Sequence, residues 1–260
     1  MSGKTSIVWT DKTWNPVVGC TKVSEGCVHC YAYELHQRRY NAWKDGRYPT
    51  APEQYHEPFN KIQLLPQRIE EPFHWRKPCK IFVNSMSDLF HEQVPDEYIE
   101  LIIEVMEACP QHIFQVLTKR SERMTKFFWK WLEDRQRLFP QNLWLGVTAE
   151  NQKQAEAHIP LLLQVPASVC WVSIEPLLEP VDLQRWLYSG KDCLWPLDWV
   201  VVGGESGSGR RPCDPDWVRQ IRDQCLDAKV PFLFKQWGGS TAKAGGRELD
   251  GQVWDQYPDK

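Results

Sequence analysis

Trp14-Asn15-Pro16-Val17-Val18-Gly19-Cys20, followed after a short polar stretch by Gly26-Cys27-Val28-His29-Cys30-Tyr31, sets three cysteines six and then two residues apart at the end of the first apolar run. An apolar run that ends in glycine and then in thiols reads as a strand delivering metal ligands to its carboxyl-terminal end. Cysteine thiolates hold iron–sulfur clusters, and a cubane ordinarily takes four, so three close thiolates leave one iron open to another ligand. A structural zinc ion asks instead for four tetrahedral ligands, and His29 or His36 would complete such a set. No second Cys-x-x-Cys pair is present for a zinc ribbon. Nine cysteines is an odd count, and Met1 to Thr10 shows no basic-then-apolar secretory signal, so reduced thiols and a cytoplasmic location are expected.

Outward from that stretch, short β-branched runs alternate with amphipathic ones, the pattern of parallel strands joined by helices. The expected strands are Trp14 to Val18, Ile81 to Asn84, Ile113 to Leu117, Leu143 to Thr148, Val169 to Ile174 and Trp199 to Gly203, with a seventh over Phe232 to Lys235. Between them, Pro95 to Cys109 puts Ile99, Ile102, Ile103 and Met106 on one helical face, and Ser121 to Arg137 does the same with Met124, Phe127, Phe128, Trp131 and Leu132. Asp214-Pro215 caps and opens a helix carrying Trp217, Val218, Ile221 and Cys225. Six strand–helix units with right-handed crossovers predict a partial (β/α)6 TIM-like barrel. Tyr40 to Pro78 falls outside the repeat as an insertion, either a lid or a surface wrap. The tail from Gly238 carries the hairpin-turn pair Asp250-Gly251.

The 260 residues suit one α/β barrel domain with insertions. A net charge of -3 gives no sign of a generally basic nucleic-acid binder. No apolar run approaches the length of a membrane helix. Fourteen tryptophans point to a heavily aromatic core or cap.

The cysteine trio resembles that of the radical S-adenosylmethionine (radical SAM) superfamily. Its commonest spacing puts three residues between the first two cysteines and an aromatic residue just before the third; here there are six, and His29 fills the aromatic place. The longer spacing, with Ser85-Met86-Ser87-Asp88-Leu89-Phe90-His91, Val202-Gly203-Gly204-Glu205-Ser206-Gly207 and Phe234-Lys235-Gln236-Trp237-Gly238, is similar to one uncharacterised phage-associated family, from about Trp9 to about Pro258. The resemblance implies a radical SAM barrel holding a 4Fe-4S cluster on Cys20, Cys27 and Cys30, with S-adenosylmethionine on the open iron. It implies an electron donor such as flavodoxin or ferredoxin, reductive cleavage to a 5'-deoxyadenosyl radical, and hydrogen abstraction from a substrate. A zinc-stabilised nucleic-acid-binding module and a cluster-bearing phage adaptor without that chemistry are the alternatives.

Barrel chemistry collects at the carboxyl ends of the strands, and polar residues follow every expected strand. Ser85, Ser87 and Asp88 are the first candidates for the cofactor's amino group, by analogy with the superfamily; the alternative for Asp88 is a helix cap. Lys119 or Arg120 suits its carboxylate, and Thr148 and Glu150 its ribose hydroxyls. Gly203-Gly204-Glu205 offers a close backbone approach to adenine or substrate. Glu175, Glu205 and Lys235 face the same mouth as candidates for holding or protonating substrate. Cys213 is either a hydrogen donor to a substrate radical or a small buried hydrophobe. Cys79, Cys109, Cys170, Cys193 and Cys225 read as core or incidental.

The phage-associated setting suggests a nucleic-acid or nucleotide substrate for repair or modification, an inference of fold-level analogy. Arg38, Arg39, Arg76, Lys77, Lys119, Arg120, Arg210 and Arg211, with Trp43 and Trp75 as stacking platforms, make either a phosphate-tracking groove or a solvated surface.

Overall fold

The structure is a computed structural model and describes residues 3–136, 138–190, 195–241 and 243–259. Seven parallel strands pair in chain order: β1 (Lys12–Trp14), β2 (Lys80–Val83), β3 (Ile113–Thr118), β4 (Leu143–Thr148), β5 (Val169–Ile174), β6 (Trp199–Gly203) and β7 (Phe232–Gln236). The sheet curls into a half-barrel, and Gly3–Lys4 pairs antiparallel on the outer edge of β1. The helices are α1 (Tyr31–Lys44), α2 (Asp96–Glu107), α3 (Ser121–Arg135), α4 (Gln152–Leu162), the short α5 (Gln184–Leu187) and α6 (Pro215–Ala228).

Both faces of the strands are apolar, as a covered parallel sheet requires. Ile81, Val83, Phe114, Val116, Leu145, Val147, Val172, Val200, Val202 and Phe234 pack outward in one core with Ile99, Ile102 and Met106 of α2 and Met124, Phe127, Phe128 and Trp131 of α3. The alternate residues Phe82, Trp144, Trp171, Trp199, Val201 and Leu233 turn inward, where Trp9 joins them. This aromatic layer fills the amino-terminal end of the half-barrel. Tyr257 stacks on it with its ring centroid 5.3 Å from that of Trp199, and its hydroxyl donates to Val8 O at 3.0 Å.

The expected first strand is broken in two. Pro16 supplies no N–H for a ladder, and beyond Trp14 the chain leaves the main sheet. Val17–Val18 then pair antiparallel with Gln63–Leu64. The 40–78 insertion therefore braces the first strand and the cysteine loop: Leu65 N donates to Pro16 O at 2.8 Å, Cys20 N to Phe59 O at 2.9 Å, and Trp14 Nε1 to Arg68 O at 2.7 Å. Helix α1 runs into the part of the insertion read as irregular. Only Ala32 and His36 of it are buried, too few to leave an amphipathic pattern in the sequence.

Asp214 caps α6 by accepting from Asp216 N at 2.8 Å. The tail forms its hairpin, Glu248↔Val253 and Leu249↔Gln252, about Asp250 and Gly251 at φ 55 and 75. It covers the outer edge of β7, where Phe234 N donates to Trp254 O at 3.0 Å. No described helix is long and apolar enough to cross a membrane.

Candidate functional site

The three cysteines lie at the carboxyl-terminal end of the sheet, each partly exposed. Gly19 holds φ +102 and donates its N–H to Met86 O at 3.0 Å; a Cβ there would meet Lys61 O at 2.4 Å, so only glycine lets Cys20 turn into the mouth. Cys27 closes the turn Glu25–Cys27, with its N–H on Ser24 O at 3.0 Å, and Cys30 immediately precedes α1, its carbonyl accepting from Glu34 N at 3.0 Å. Cys20 and Cys30 share a small cluster with Val18, Ala32, Phe59, Leu65 and Met86.

Burial pushes the Cys20 thiol up to about 12; the charge of Asp88 and then the neighbouring Cys30 and Cys27 thiolates add to the rise, and Arg120 opposes it. Cys30 is raised too, first by burial, with Cys27 adding, against backbone N–H groups of Tyr33 and Ala32 and the charge of Lys119. The thiols thus lie within electrostatic reach of one another, and a bound metal centre would release their protons. Among the described residues no three His, Cys, Asp or Glu side chains converge on one ion position, whereas a cubane takes each thiolate on a different iron.

Of the two histidines read as possible fourth ligands, His36 is engaged elsewhere. His36 is buried in the brace, its Nε2 2.8 Å from Glu57 O and its ring between Tyr55 and Phe59. His29 lies against Gly209 and within the field of Glu205.

Several residues expected to meet the cofactor are engaged with protein. Asp88 accepts from Thr118 Oγ1 at 2.7 Å, Phe90 N at 3.0 Å and Lys119 N at 3.0 Å; it stands at no helix start, since the next helix opens at Asp96, so it joins the turn after β2 to the end of β3 rather than capping a helix. Ser85 Oγ donates to Asn15 Oδ1 at 3.1 Å and Ser87 Oγ to Val17 O at 2.9 Å, so this segment runs alongside the cysteine loop's entry. Glu150, with no exposed surface, accepts from Lys119 Nζ at 2.8 Å and from Gly26 N at 3.0 Å. Arg120 is buried; its Nη2 donates to Thr21 Oγ1 at 2.9 Å, directly after Cys20, and its Nε to Glu92 at 3.3 Å. Glu205 receives Arg211 in a bidentate pair, and Arg211 Nη2 also reaches Glu25 O at 3.0 Å. Cys213 sits beside Gly204, and burial, with Asp214, pushes its thiol up to about 12.

Glu175 and Lys235 follow Trp171 and Leu233 on the inward face and pair at 2.6 Å, both partly exposed at the mouth. Gly203 faces them, with room for a Cβ only 3.1 Å from Glu175 Cδ. Thr148 shares that face and is buried.

Sequence reasoning missed Asn15, Asn84 and Tyr31. The Tyr31 hydroxyl donates to Ser85 O at 2.6 Å, tying the residue after Cys30 to the end of β2. Asn15 Nδ2, Asn84 Nδ2 and Arg120 Nη1 are buried donors without a hydrogen-bond acceptor in the structure. The signal for Asn84 is its position directly after a strand, where it adopts φ 60.

The basic residues do not form one surface. Trp75, Arg76 and Lys77 precede β2 at the amino-terminal end, opposite Lys119, Arg120 and Arg211. Trp43 stacks on His56 at 4.4 Å. Cys109, Cys170 and Cys225 are buried, Cys79 is partly so, and Cys193 lies outside the described residues.

Comparison with curated proteins and with solved structures gives no match. The family described as "Protein of unknown function (DUF5131)" matches residues 4–258, nearly the whole length, and the chain belongs to that family.

Proposed function

We propose that the protein is a radical SAM enzyme in which Cys20, Cys27 and Cys30 hold a 4Fe-4S cluster at the mouth of the half-barrel. The observation that carries this reading is the gathering of three partly exposed thiols in the loop and helix start that follow the first strand, at the carboxyl-terminal end of the parallel sheet, with His36 engaged on Glu57 O. When bound, the cluster and S-adenosylmethionine supply a one-electron cleavage of the sulfonium that yields methionine and a hydrogen-abstracting 5'-deoxyadenosyl group.

The protein's part is binding, orientation and exclusion of water. Arg120 Nη1 is a buried cationic donor within the field of Cys20, suited to the cofactor's carboxylate. Asn15 and Asn84 add two buried amide donors at the ends of β1 and β2. Glu175 and Lys235 are the charged pair left partly open on the inward face, placed to hold a polar substrate. A nucleotide suits this mouth better than a duplex, because Lys119, Arg120 and Arg211 each bond groups of the fold. A flavodoxin or ferredoxin would supply the electron.

The test is incubation of the anaerobically purified protein with dithionite and S-adenosylmethionine. The expected result is 5'-deoxyadenosine from the wild type and none from Cys27→Ala. A fully loaded cluster that yields no 5'-deoxyadenosine, or a colourless zinc protein, would contradict the reading.

A further inference from the structure

The turn that carries Cys27 is gripped from two strand ends by groups that are not themselves ligands. From β4, Glu150 reaches up to it. A buried carboxylate is costly unless paired and hydrogen-bonded. Glu150 has two partners: Lys119 Nζ at 2.8 Å and Gly26 N at 3.0 Å. One of them, Gly26, lies in the turn leading into Cys27, where Ser24 Oγ also comes within 3.7 Å of Cys27 Sγ. From the far side, Arg211 holds Glu25 O at 3.0 Å while itself clamped on Glu205.

Gly26 supplies an independent mark of the same contact. Its backbone is not in the left-handed region, so conformation does not demand glycine there. Space is tight: a Cβ would lie 2.9 Å from Glu150 Oε1, 3.0 Å from Glu150 Cδ and 3.2 Å from Lys119 Nζ, so a larger residue would have to push this pair aside. The carboxylate–ammonium pair occupies the place where a side chain at residue 26 would go.

We infer that Glu150 is a positioning residue which, neutralised by Lys119, fixes the Cys27 turn for ligation, and that Gly26 is the opening through which it acts. This rests on the cluster proposed above. Partners behind the ligands of a metal site set both ligand orientation and the electronic character of the centre. The pair has a second consequence. Lys119 and Glu150 cancel one another, so no net charge stands under the turn. Removing only the carboxylate's charge leaves an ammonium, which favours the more negative, reduced cluster.

The experiment compares wild type, Gly26→Ala and Glu150→Gln as full chains reconstituted without oxygen. Iron and sulfide per chain, the electron paramagnetic resonance spectrum and the midpoint potential are read, with far-UV circular dichroism as the folding control. Gly26→Ala is expected to bind iron roughly 10-fold or more weakly with an unchanged dichroism spectrum, the scale at which outer partners of metal ligands act. Glu150→Gln, nearly isosteric and still able to accept from Gly26 N, is expected to load iron with a more positive potential. A contact that only supported the fold would not move that potential. Should Gly26→Ala unfold, the Glu150→Gln potential decides. Wild-type iron content, spectrum and potential in both variants would overturn the inference and leave the cluster standing. A wild type that takes up no iron and sulfide would remove the cluster itself, and the inference with it.

Discussion

Gly146 and Trp171 are partners across β4 and β5, and the indole lies so close over the glycine that a Cβ would come within 2.4 Å of Trp171 Cε2. The small residue lets the large one lie flat across the inward face, where Trp171 has no exposed surface. Gly146→Ala is therefore expected to destabilise the protein by about 1–3 kcal/mol, the usual cost of overfilling a packed interior. In a Trp171→Phe background the same substitution should cost less, because the two sites share one space. Urea unfolding of the four variants measures this; strictly additive costs would show that the contact is not the cause.

Part of the acid sensitivity should trace to Glu205, one of several carboxyls lowered by their partners, with Glu92, Glu150 and Asp250. Burial alone would raise its carboxyl, but the hydrogen bonds from the Arg211 side chain and N–H, with the charges of Arg211 and His29, outweigh it and leave the group below its ordinary 4.5. A carboxyl lowered by folding stabilises fully above its unfolded value, and that contribution disappears as pH falls through the folded one. Stability is expected to decline below about pH 4.5, and Glu205→Gln should flatten that part of the curve. Urea midpoints from neutral to acid pH provide the measurement, and an equal slope in the variant would exclude Glu205 as a source.

Binding to duplex DNA should be weak and nearly insensitive to salt. Of the basic residues at the mouth, Lys119 is paired with Glu150, Arg120 with Glu92 and Arg211 with Glu205. A protein that neutralises several phosphates loses affinity steeply as salt rises, with a slope close to the number of contacts. A titration from low to physiological salt reads that slope. A steep decline would show that phosphate tracking operates on this surface after all.

The sheet was legible because each strand is buried on both faces and so appears as a short, nearly continuous apolar run. Leu143–Thr148, Val169–Ile174 and Trp199–Gly203 were bounded by pattern alone, and the Asp250-Gly251 turn by backbone chemistry. Trp14 to Val18 reads as one strand because it is mostly apolar, yet Pro16 interrupts the ladder and splits it. The mouth was legible only as a set of polar residues after strands. Which of them face inward and which hold loops depends on long-range partners, as with Glu150 and Gly26, 124 residues apart, or Arg211 and Glu25, 186 apart. No local periodicity records such pairs. Gly26 was the one local trace, and a glycine kept for space reads in the sequence like one kept for a turn.

The most direct test of the three-thiolate centre is iron and acid-labile sulfide per chain after anaerobic reconstitution, in wild type, Cys20→Ala, Cys27→Ala, Cys30→Ala and the buried-cysteine control Cys170→Ala. About four irons and four sulfides are expected in the wild type and in the control, and little or none in the other three. Equal loading in all five proteins, or none in any, would contradict the account.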